Sequence, residues 1–323
     1  MQNKKTGMEQ IVNFIRQSDN FLVTTHLHAD GDAYASALAV AFLLDRLNKK
    51  YRVVLDDESP DPKYSYLWGF DKIESYREDL HPRFDNAIVL DVPSKARMGK
   101  PAKLLPRPAN CLKIDHHPEE DNFAAFNLVD VQASSTSQLV YLLLKAAGIE
   151  LTRELAALVF TGIMFDTGRF SFSNTRQIDF EIAAEMMRFG IIPSDIANRM
   201  FFNNSIESMN ILGYALSHLN LFLEGKLAII YLPPEITRHK DLTEIEELAN
   251  YTVSIRNVEV GLFIREIQPG EFKVSFRSKG NVNVNTIARK LGGGGHRHAA
   301  GCRYSGNYDE LKMRLMEEVA KQL

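Results

Sequence analysis

The sequence predicts an α/β protein in which a doubly wound parallel sheet is followed by a smaller α/β domain. In the first half of the chain, short apolar runs alternate with segments of helical periodicity, as in repeated βαβ units. These runs are almost continuously apolar, which is typical of parallel strands buried on both faces. A new set of strand-like runs begins after residue 224. We therefore expect a first domain at 1–190, a helical connector at 191–224 and a second domain at 225–323.

The individual elements follow from the same periodicities. Strands of the first domain are predicted at 21–25, 51–55, 86–90 and 111–114, and helices at 33–44, 137–147 and 153–165. Residues 59–82, rich in Pro, Asp and Tyr, are predicted to be irregular. The second domain is predicted to contain strands at 227–232, 258–265 and 272–277, followed by helices at 284–291 and 308–323.

The charge and cysteine content exclude several classes of protein. With 38 basic and 41 acidic residues among 323, the chain is near neutral, which argues against a protein that coats long nucleic acid. The two cysteines, Cys111 and Cys302, cannot form a disulfide scaffold and lack the spacing of zinc ligands. Residues 1–16 predict a short amphipathic helix rather than a signal peptide, and no apolar run is long enough to span a bilayer. We therefore expect a cytoplasmic protein.

Carboxylates and imidazoles follow three of the predicted strands and one predicted helix. The strands lead into His26-Leu27-His28-Ala29-Asp30-Gly31-Asp32, Asp91 and Asp115-His116-His117, and the helix ends at Asp166. Because the carboxyl ends of parallel strands converge at one edge of a sheet, these side chains can meet in one place. So many carboxylates with two histidines exceed the needs of one ion and suit two ions bridged by a shared carboxylate. Oxygen ligands with some imidazole favour Mn²⁺ or Mg²⁺.

Simpler interpretations exist for some of these polar residues. Asp30 and Asp32 could only cap the helix that follows them, although capping needs one side chain and does not explain His26. Ser134-Ser135-Thr136 is typical of a helix N-cap, and we assign it no other role.

The second domain contains a run of four glycines next to basic residues. Gly292-Gly293-Gly294-Gly295 is followed at once by His296-Arg297-His298. Backbone N–H groups without side chains can approach phosphate oxygens closely, so this segment is a candidate anion site. A glycine run by itself more often indicates a flexible turn. Arg277-Ser278, at the end of a predicted strand, adds anion-binding groups, although a solvated β-turn explains it equally well.

Together these motifs resemble the DHH phosphoesterase superfamily, and within it the two-domain members with a DHH-associated C-terminal domain. His26-x-x-x-Asp30-x-Asp32 resembles the first motif of the family, Asp91 the second, Asp115-His116-His117 the third and Asp166-Thr167-Gly168 the fourth. The segment 292–301 resembles the glycine–histidine signature of the associated domain. The subfamily match is to the nanoRNase and pAp-phosphatase type. The resemblance implies an active-site cleft between the two domains.

The resemblance also implies a role for each matching residue. The implied metal ligands are His26, Asp30, Asp32, Asp91, His116 and Asp166, with Asp91 bridging two ions. Asp115 would orient a histidine, and His117 would contact the scissile phosphate; these two are the implied catalytic residues. The implied substrate-binding residues, which would hold the remote phosphate or terminal nucleotide, are Arg277, Ser278, Gly294, Gly295 and His296.

The activity implied by the resemblance is metal-dependent hydrolysis of RNA of two to five nucleotides to mononucleotides, together with dephosphorylation of 3′-phosphoadenosine-5′-phosphate. The implied cofactors are two divalent cations, Mn²⁺ first, with Mg²⁺ or Co²⁺ as alternatives. The expected partners are short RNA or small nucleotides, without long nucleic acid or membrane, and a homodimer is an open alternative to a monomer. The competing functions are a cyclic-di-AMP or pApA phosphodiesterase, a pyrophosphatase or exopolyphosphatase, and a catalytically silent nucleotide-binding regulator.

Overall fold

The computed structural model describes residues 7–79, 83–237 and 248–323. The chain divides into two compact units, Met1–Asn203 and Asn204–Leu323. The division falls within the stretch 191–224, whose role as a connector stays a prediction. His81 and His239 lie outside the described residues, as does the start of the predicted N-terminal helix.

The first unit is built on a six-stranded, wholly parallel sheet. Its order is β3-β2-β1-β4-β5-β6. The strands are β1 (Phe21–Thr24), β2 (Tyr51–Leu55), β3 (Ile73–Ser75), β4 (Asn86–Leu90), β5 (Cys111–Asp115) and β6 (Phe126–Val129). The four predicted strands and the doubly wound class are confirmed. The sequence does not predict β3 and β6, the strands at the two edges of the sheet, because their partly exposed residues form no continuous apolar run.

Helices of the first unit cover the sheet and place the loops at its carboxyl edge. They are α1 (Met8–Gln17), α2 (Gly31–Arg46), α3 (Thr136–Ala146), α4 (Arg153–Asp166), α5 (Gln177–Met187) and α6 (Pro193–Phe201). Every residue of α2 from Gly31 to Leu44 is buried, which explains why this segment has no polar face. The opposite face of the sheet carries a smaller apolar cluster that includes Val89, Val92 and Phe123.

The second unit contains a mixed six-stranded sheet of order β11-β12-β10-β9-β8-β7. Its strands are β7 (Asn220–Phe222), β8 (Leu227–Leu232), β9 (Val260–Gln268), β10 (Glu271–Ser278), β11 (Gly294–Gly295) and β12 (Ala299–Ser305). Its helices are α7 (Ile206–Ser217), α8 (Pro234–Thr237), α9 (Leu248–Val253), α10 (Val284–Lys290) and α11 (Tyr308–Ala320). Among the described strands of this sheet, β8 and β9 pair in parallel and the other neighbours are antiparallel.

Two features of the second unit differ from the sequence prediction. The stretch 191–224, expected to be helical throughout, contains the edge strand β7, whose three residues are too few to give a period-two signal. The glycine run leads into a β-hairpin of β11 and β12, two strands that the sequence does not predict. Along the described parts of the chain, none of the helices has the length and apolar character that crossing a bilayer requires.

Candidate metal centre

The loop after β1 places His26 and Asp30 side by side. Asp30 is the N-cap of α2, and its Oδ1 accepts hydrogen bonds from the backbone N–H groups of Asp32 at 3.0 Å and Ala33 at 3.1 Å. Its other oxygen, Oδ2, lies 3.8 Å from His26 Nε2. Capping and metal binding are therefore compatible for Asp30, because each uses a different oxygen.

Asp32 has a different environment from Asp30, and it does not cap α2. Its side chain is fully buried, and its two oxygens accept backbone N–H groups from the start of α3: Thr136 N at 2.6 Å and Ser137 N at 2.9 Å. The N-terminus of α3 thereby holds a carboxylate that lies 104 residues earlier in the chain than Thr136. Ser135 caps α3 as predicted, since its hydroxyl accepts a hydrogen bond from Gln138 N.

Asp91 lies at the centre of the cluster. One of its oxygens is 3.5 Å from His26 Nε2, and the other is 3.4 Å from His116 Nε2. It belongs to three groups of potential ligand atoms that each lie within 4.8 Å of one another, and two of these groups consist of expected metal ligands: His26, Asp30 and Asp91, and Asp32, Asp91 and His116. The hydroxyl of Thr136 donates a hydrogen bond to Asp91 Oδ1 at 2.9 Å and restrains this carboxylate. A carboxylate shared by two groups is the arrangement that two bridged ions require.

Asp166, at the end of α4, completes the cluster. Its Oδ2 lies 3.0 Å from His116 Nε2. All six residues expected to bind metal thus meet at the carboxyl edge of the parallel sheet. The donor set combines carboxylate oxygens with imidazole nitrogens and fits divalent cations that prefer oxygen and nitrogen ligands.

The electrostatics of this cluster favour a divalent cation. Burial raises the pKa of Asp32 well above its usual value, and the nearby carboxylates of Asp91 and Asp166 raise it further. Burial lowers the pKa of His26, but its hydrogen bonds with Asp30 and Asp91 outweigh burial and raise that pKa well above normal. His116 behaves likewise beside Asp166. A cation bound to this cluster would compete with protons for the same ligand atoms.

The catalytic pair implied by the sequence forms a separate contact beside this cluster. The Oδ1 atom of Asp115 lies 2.8 Å from His117 Nδ1 and accepts the backbone N–H of His117 at 3.1 Å. The same imidazole nitrogen is 3.4 Å from Asp91 Oδ1. Asp115 thus orients the His117 ring toward the proposed metal centre.

Two contributors to this site escaped the sequence analysis. Thr136 was assigned to a helix cap, yet its hydroxyl and its backbone N–H contact two of the expected metal ligands. Gly162 lies in the middle of α4, where a Cβ atom would sit 1.9 Å from Ser137 Oγ and 2.5 Å from Asp32 Oδ1. No sequence motif marks either residue, because each is defined by a neighbour far away in the chain.

Gly162→Ala should therefore damage the site although alanine favours helices. We expect a loss of about 1–3 kcal/mol of stability from overpacking and a fall in turnover, because Asp32 must move. Gly213→Ala is the matched control, since Gly213 also lies in a helix but has open space around its Cβ position. That variant should be neutral or gain about 0.5–1 kcal/mol. Thermal unfolding of both proteins, with assays of turnover, tests this. Equal changes of stability and turnover in the two variants would show that the packing around Gly162 leaves room for a Cβ atom.

The predicted substrate-binding residues lie together at one end of the sheet of the second unit. Gly294 and Gly295 pair with Gly301 and Ala300, and a Cβ on Gly295 would sit 2.6 Å from the carbonyl oxygen of Ala299. The glycines therefore allow close packing of the hairpin, whatever they contribute to anion binding. His296 begins the hairpin turn, where its N–H donates to the carbonyl oxygen of Ala299 at 2.7 Å.

Arg277 and Ser278 are adjacent to this hairpin at the end of β10. The Nε atom of Arg277 donates to Asn250 Oδ1 at 2.8 Å. The hydroxyl of Ser278 donates to the carbonyl oxygen of Val282 at 2.9 Å and lies 3.0 Å from His298 Nδ1. Within this unit, Ser278 is thus placed to orient His298, and its predicted contact with substrate stays a prediction.

Comparison with known proteins identifies the family of this chain. The family model described as "DHH family, N-terminal domain" matches residues 20–163, and the one described as "DHHA1 domain" matches residues 225–323. The chain belongs to the DHH family, a group of metal-dependent phosphoesterases.

Its relatives define the family branch more closely. The chain is 31% identical to the bifunctional oligoribonuclease and PAP phosphatase NrnA of Thermus thermophilus over 93% of its length and 89% of the relative. It is 28% identical to the protein of the same name from Bacillus subtilis over 97% of its length and 98% of that relative. Among solved structures, an exopolyphosphatase-related protein from Bacteroides fragilis aligns with a TM-score of 0.88 at 26% identity, covering 97% of this chain and 95% of the other.

Proposed function

We propose that this protein is a phosphoesterase that uses two divalent cations to hydrolyse very short oligoribonucleotides to mononucleotides and to dephosphorylate 3′-phosphoadenosine-5′-phosphate (PAP). The observation that carries the proposal is the position of Asp91, whose oxygens face two separate groups of potential ligands. The names of the relatives, bifunctional oligoribonuclease and PAP phosphatase, support the choice of substrates. The near-neutral charge of the chain also suits a substrate of only a few nucleotides.

In this proposal, the residues of the cluster divide into two ligand sets with Asp91 in common. His26 and Asp30 would hold one cation, and Asp32, His116 and Asp166 the other. When bound, the two cations would activate the attacking water and offset charge on the attacking and leaving oxygens. A cluster of carboxylates with imidazole favours Mn²⁺, with Mg²⁺ or Co²⁺ as alternatives.

The remaining residues of the proposal act on the substrate. His117, oriented by Asp115 at 2.8 Å, would contact the scissile phosphate and give a proton to the leaving oxygen. Arg277, Ser278, Gly294, Gly295 and His296 of the second unit would hold the remote end of the substrate. The proposal includes a cytoplasmic location. A homodimer is an alternative to a monomer, and a sedimentation measurement distinguishes the two.

A panel of substrates tests the proposal. Purified protein with Mn²⁺ should hydrolyse RNA of two to five nucleotides and PAP faster than cyclic di-AMP, inorganic pyrophosphate or long RNA. Faster hydrolysis of the cyclic dinucleotide would favour the phosphodiesterase alternative, and faster hydrolysis of pyrophosphate the pyrophosphatase alternative. Binding of nucleotides without hydrolysis of any substrate would favour the silent regulator.

Removal of metal should abolish this activity. Exhaustive chelation should leave no hydrolysis, and Mn²⁺ should restore it better than Ca²⁺, which accepts looser geometry. Mn²⁺ should also raise the unfolding temperature of the chelated protein, because a cation that binds only the folded state stabilises it. Activity and thermal unfolding are measured on the same preparation. Hydrolysis that survives complete removal of metal would contradict the two-cation proposal.

A further inference from the structure

A lysine is buried on β5 of the parallel sheet, two residues before the DHH motif. Lys113 lies on β5, and its side chain and that of Asp115 are both 0% exposed. Residues two apart on a strand point to the same face, so the two side chains are neighbours. This face of the sheet otherwise carries the apolar cluster that includes Val89 and Phe123. A charged side chain in such surroundings needs specific partners, since burying an unpaired charge is unfavourable.

The Lys113 ammonium has three neighbours in this cluster. Its Nζ donates to the carbonyl oxygen of Pro93 at 3.0 Å, lies 3.6 Å from Asp115 Oδ2 and is 5.5 Å from the centre of the Phe123 ring. The Pro93 oxygen also accepts the backbone N–H groups of Glu120 and Asp121. This carbonyl would therefore keep hydrogen-bond donors if Lys113 were replaced.

Asp115 depends on Lys113 more strongly than the Pro93 carbonyl does, because the two carboxylate oxygens of Asp115 have different partners. Oδ1 accepts from the backbone N–H of His117 and contacts the imidazole of the same residue. Oδ2 is buried and accepts no hydrogen bond from any of the described residues. Across the described part of the chain, the ion pair at this oxygen is with Lys113.

We infer that Lys113 is a positioning residue that fixes Asp115, and through it His117, in the orientation used for hydrolysis. This inference rests on the proposed function, in which His117 contacts the scissile phosphate. Lys113 holds the Asp115 carboxylate from one side by charge, and His117 occupies the other oxygen. Its bond to Pro93 also connects this pair to the loop that follows Asp91. Without Lys113, Asp115 keeps no ion pair at Oδ2 and no longer restrains the imidazole.

A double-mutant cycle tests whether Lys113 acts through His117. Lys113→Met keeps an unbranched chain of similar length and removes the charge. In the wild-type background it should lower kcat about 10- to 100-fold with little change in KM, the range typical of losing the partner of an active-site ligand. In the His117→Ala background, the same change should alter the residual kcat less than about twofold, because the imidazole that Lys113 helps to orient is absent. The bound metal should be the same in all four proteins.

A matched control separates the inference from a general effect of removing a lysine. Lys103 has its ammonium 3.7 Å from the Glu78 carboxylate, a similar separation, but its side chain is 65% exposed. Lys103→Met should leave kcat unchanged, because an exposed ion pair contributes little. Equal fold-losses from Lys113→Met in the wild-type and His117→Ala backgrounds, or loss of metal, would overturn the inference.

A stability cycle tests the same contact if Lys113→Met folds poorly. Lys113→Met should lower the unfolding temperature of the wild-type protein but not that of Asp115→Asn, in which the carboxylate charge is already absent. An equal decrease in both backgrounds would show that Lys113 does not act on Asp115 and would overturn the inference. The stability cycle needs no substrate, and the kinetic cycle uses whichever substrate of the panel the wild type hydrolyses. Failure of the nucleotide proposal is therefore distinguishable from failure of this one.

Discussion

Asp91→Asn should reduce hydrolysis of every substrate by about a thousandfold or more, the scale of disabling an entire catalytic unit. Asp91 is 2% exposed, and its two oxygens lie 3.5 Å from His26 and 3.4 Å from His116. An amide in this position offers one neutral oxygen in place of a charged carboxylate with two. Both ligand sets lose their common member, so we expect the protein to bind fewer than two ions.

Asparagine is the sharper substitution because of the backbone at this position. Asp91 has a φ of 58°, in the left-handed region that Asp and Asn tolerate and that most other residues disfavour. Asp91→Ala adds about 1–2 kcal/mol of backbone strain, so a loss of folding could be mistaken for a loss of catalysis. Asp91→Asn should therefore unfold at a higher temperature than Asp91→Ala while being equally inactive.

Asp179→Asn is the matched control for Asp91→Asn. Asp179 is also a fully buried carboxylate of the first unit, and it bonds Ser134 Oγ at 2.5 Å and the backbone N–H of Arg176 at 2.7 Å. Its amide variant should lose some stability but keep its metal and retain turnover within about tenfold of wild type, since it belongs to neither ligand group. Turnover and metal content are measured on the same sample. Near-normal turnover in Asp91→Asn would contradict the proposal that Asp91 bridges two cations.

The sequence predicts much of this site because of the geometry of parallel sheets. Residues such as Asp91 and His116 are distant in the chain, but each follows a buried strand, and the carboxyl ends of adjacent parallel strands lie side by side. An apolar run that stops at a carboxylate is visible in one sequence without any knowledge of neighbours. The same reasoning placed Asp166 at a helix end, and the structure puts it 3.0 Å from His116.

The residues that sequence reasoning missed are defined by contacts between elements. Gly162 is one glycine in a helical pattern, and only the packing of α4 against Asp32 and Ser137 shows why a Cβ does not fit. Lys113 is a single charge inside an apolar strand, and its meaning depends on Asp115 and on Pro93 from another loop. The glycine run differs from these residues because its composition already suggests anion binding in the sequence. The β-hairpin that requires small residues at these positions is not visible in the sequence.

His296→Ala should separate binding of the remote end of the substrate from the reaction at the metal centre. In our proposal, the imidazole of His296 holds a phosphate or nucleotide that is not cleaved. A hydrogen bond to a charged group contributes about 1.5–3 kcal/mol, which corresponds to roughly a 10- to 150-fold loss in kcat/KM for a dinucleotide. Part of this loss should fall on kcat, because remote binding energy helps to position the reacting phosphate.

Bis-p-nitrophenyl phosphate provides the comparison, because it is a phosphodiester without a second nucleotide to hold. We expect His296→Ala to hydrolyse it within about threefold of the wild-type rate, since binding energy that the substrate lacks cannot be lost. The hairpin should remain folded, because the bond between His296 N and the Ala299 carbonyl oxygen belongs to the backbone. His218→Ala, which removes an exposed histidine of the same unit that stacks on Tyr214 at 4.0 Å, should behave as wild type on both substrates. Equal losses on the dinucleotide and on the simple diester, or a loss of bound metal in His296→Ala, would place His296 at the reacting phosphate and exclude a role confined to the remote end.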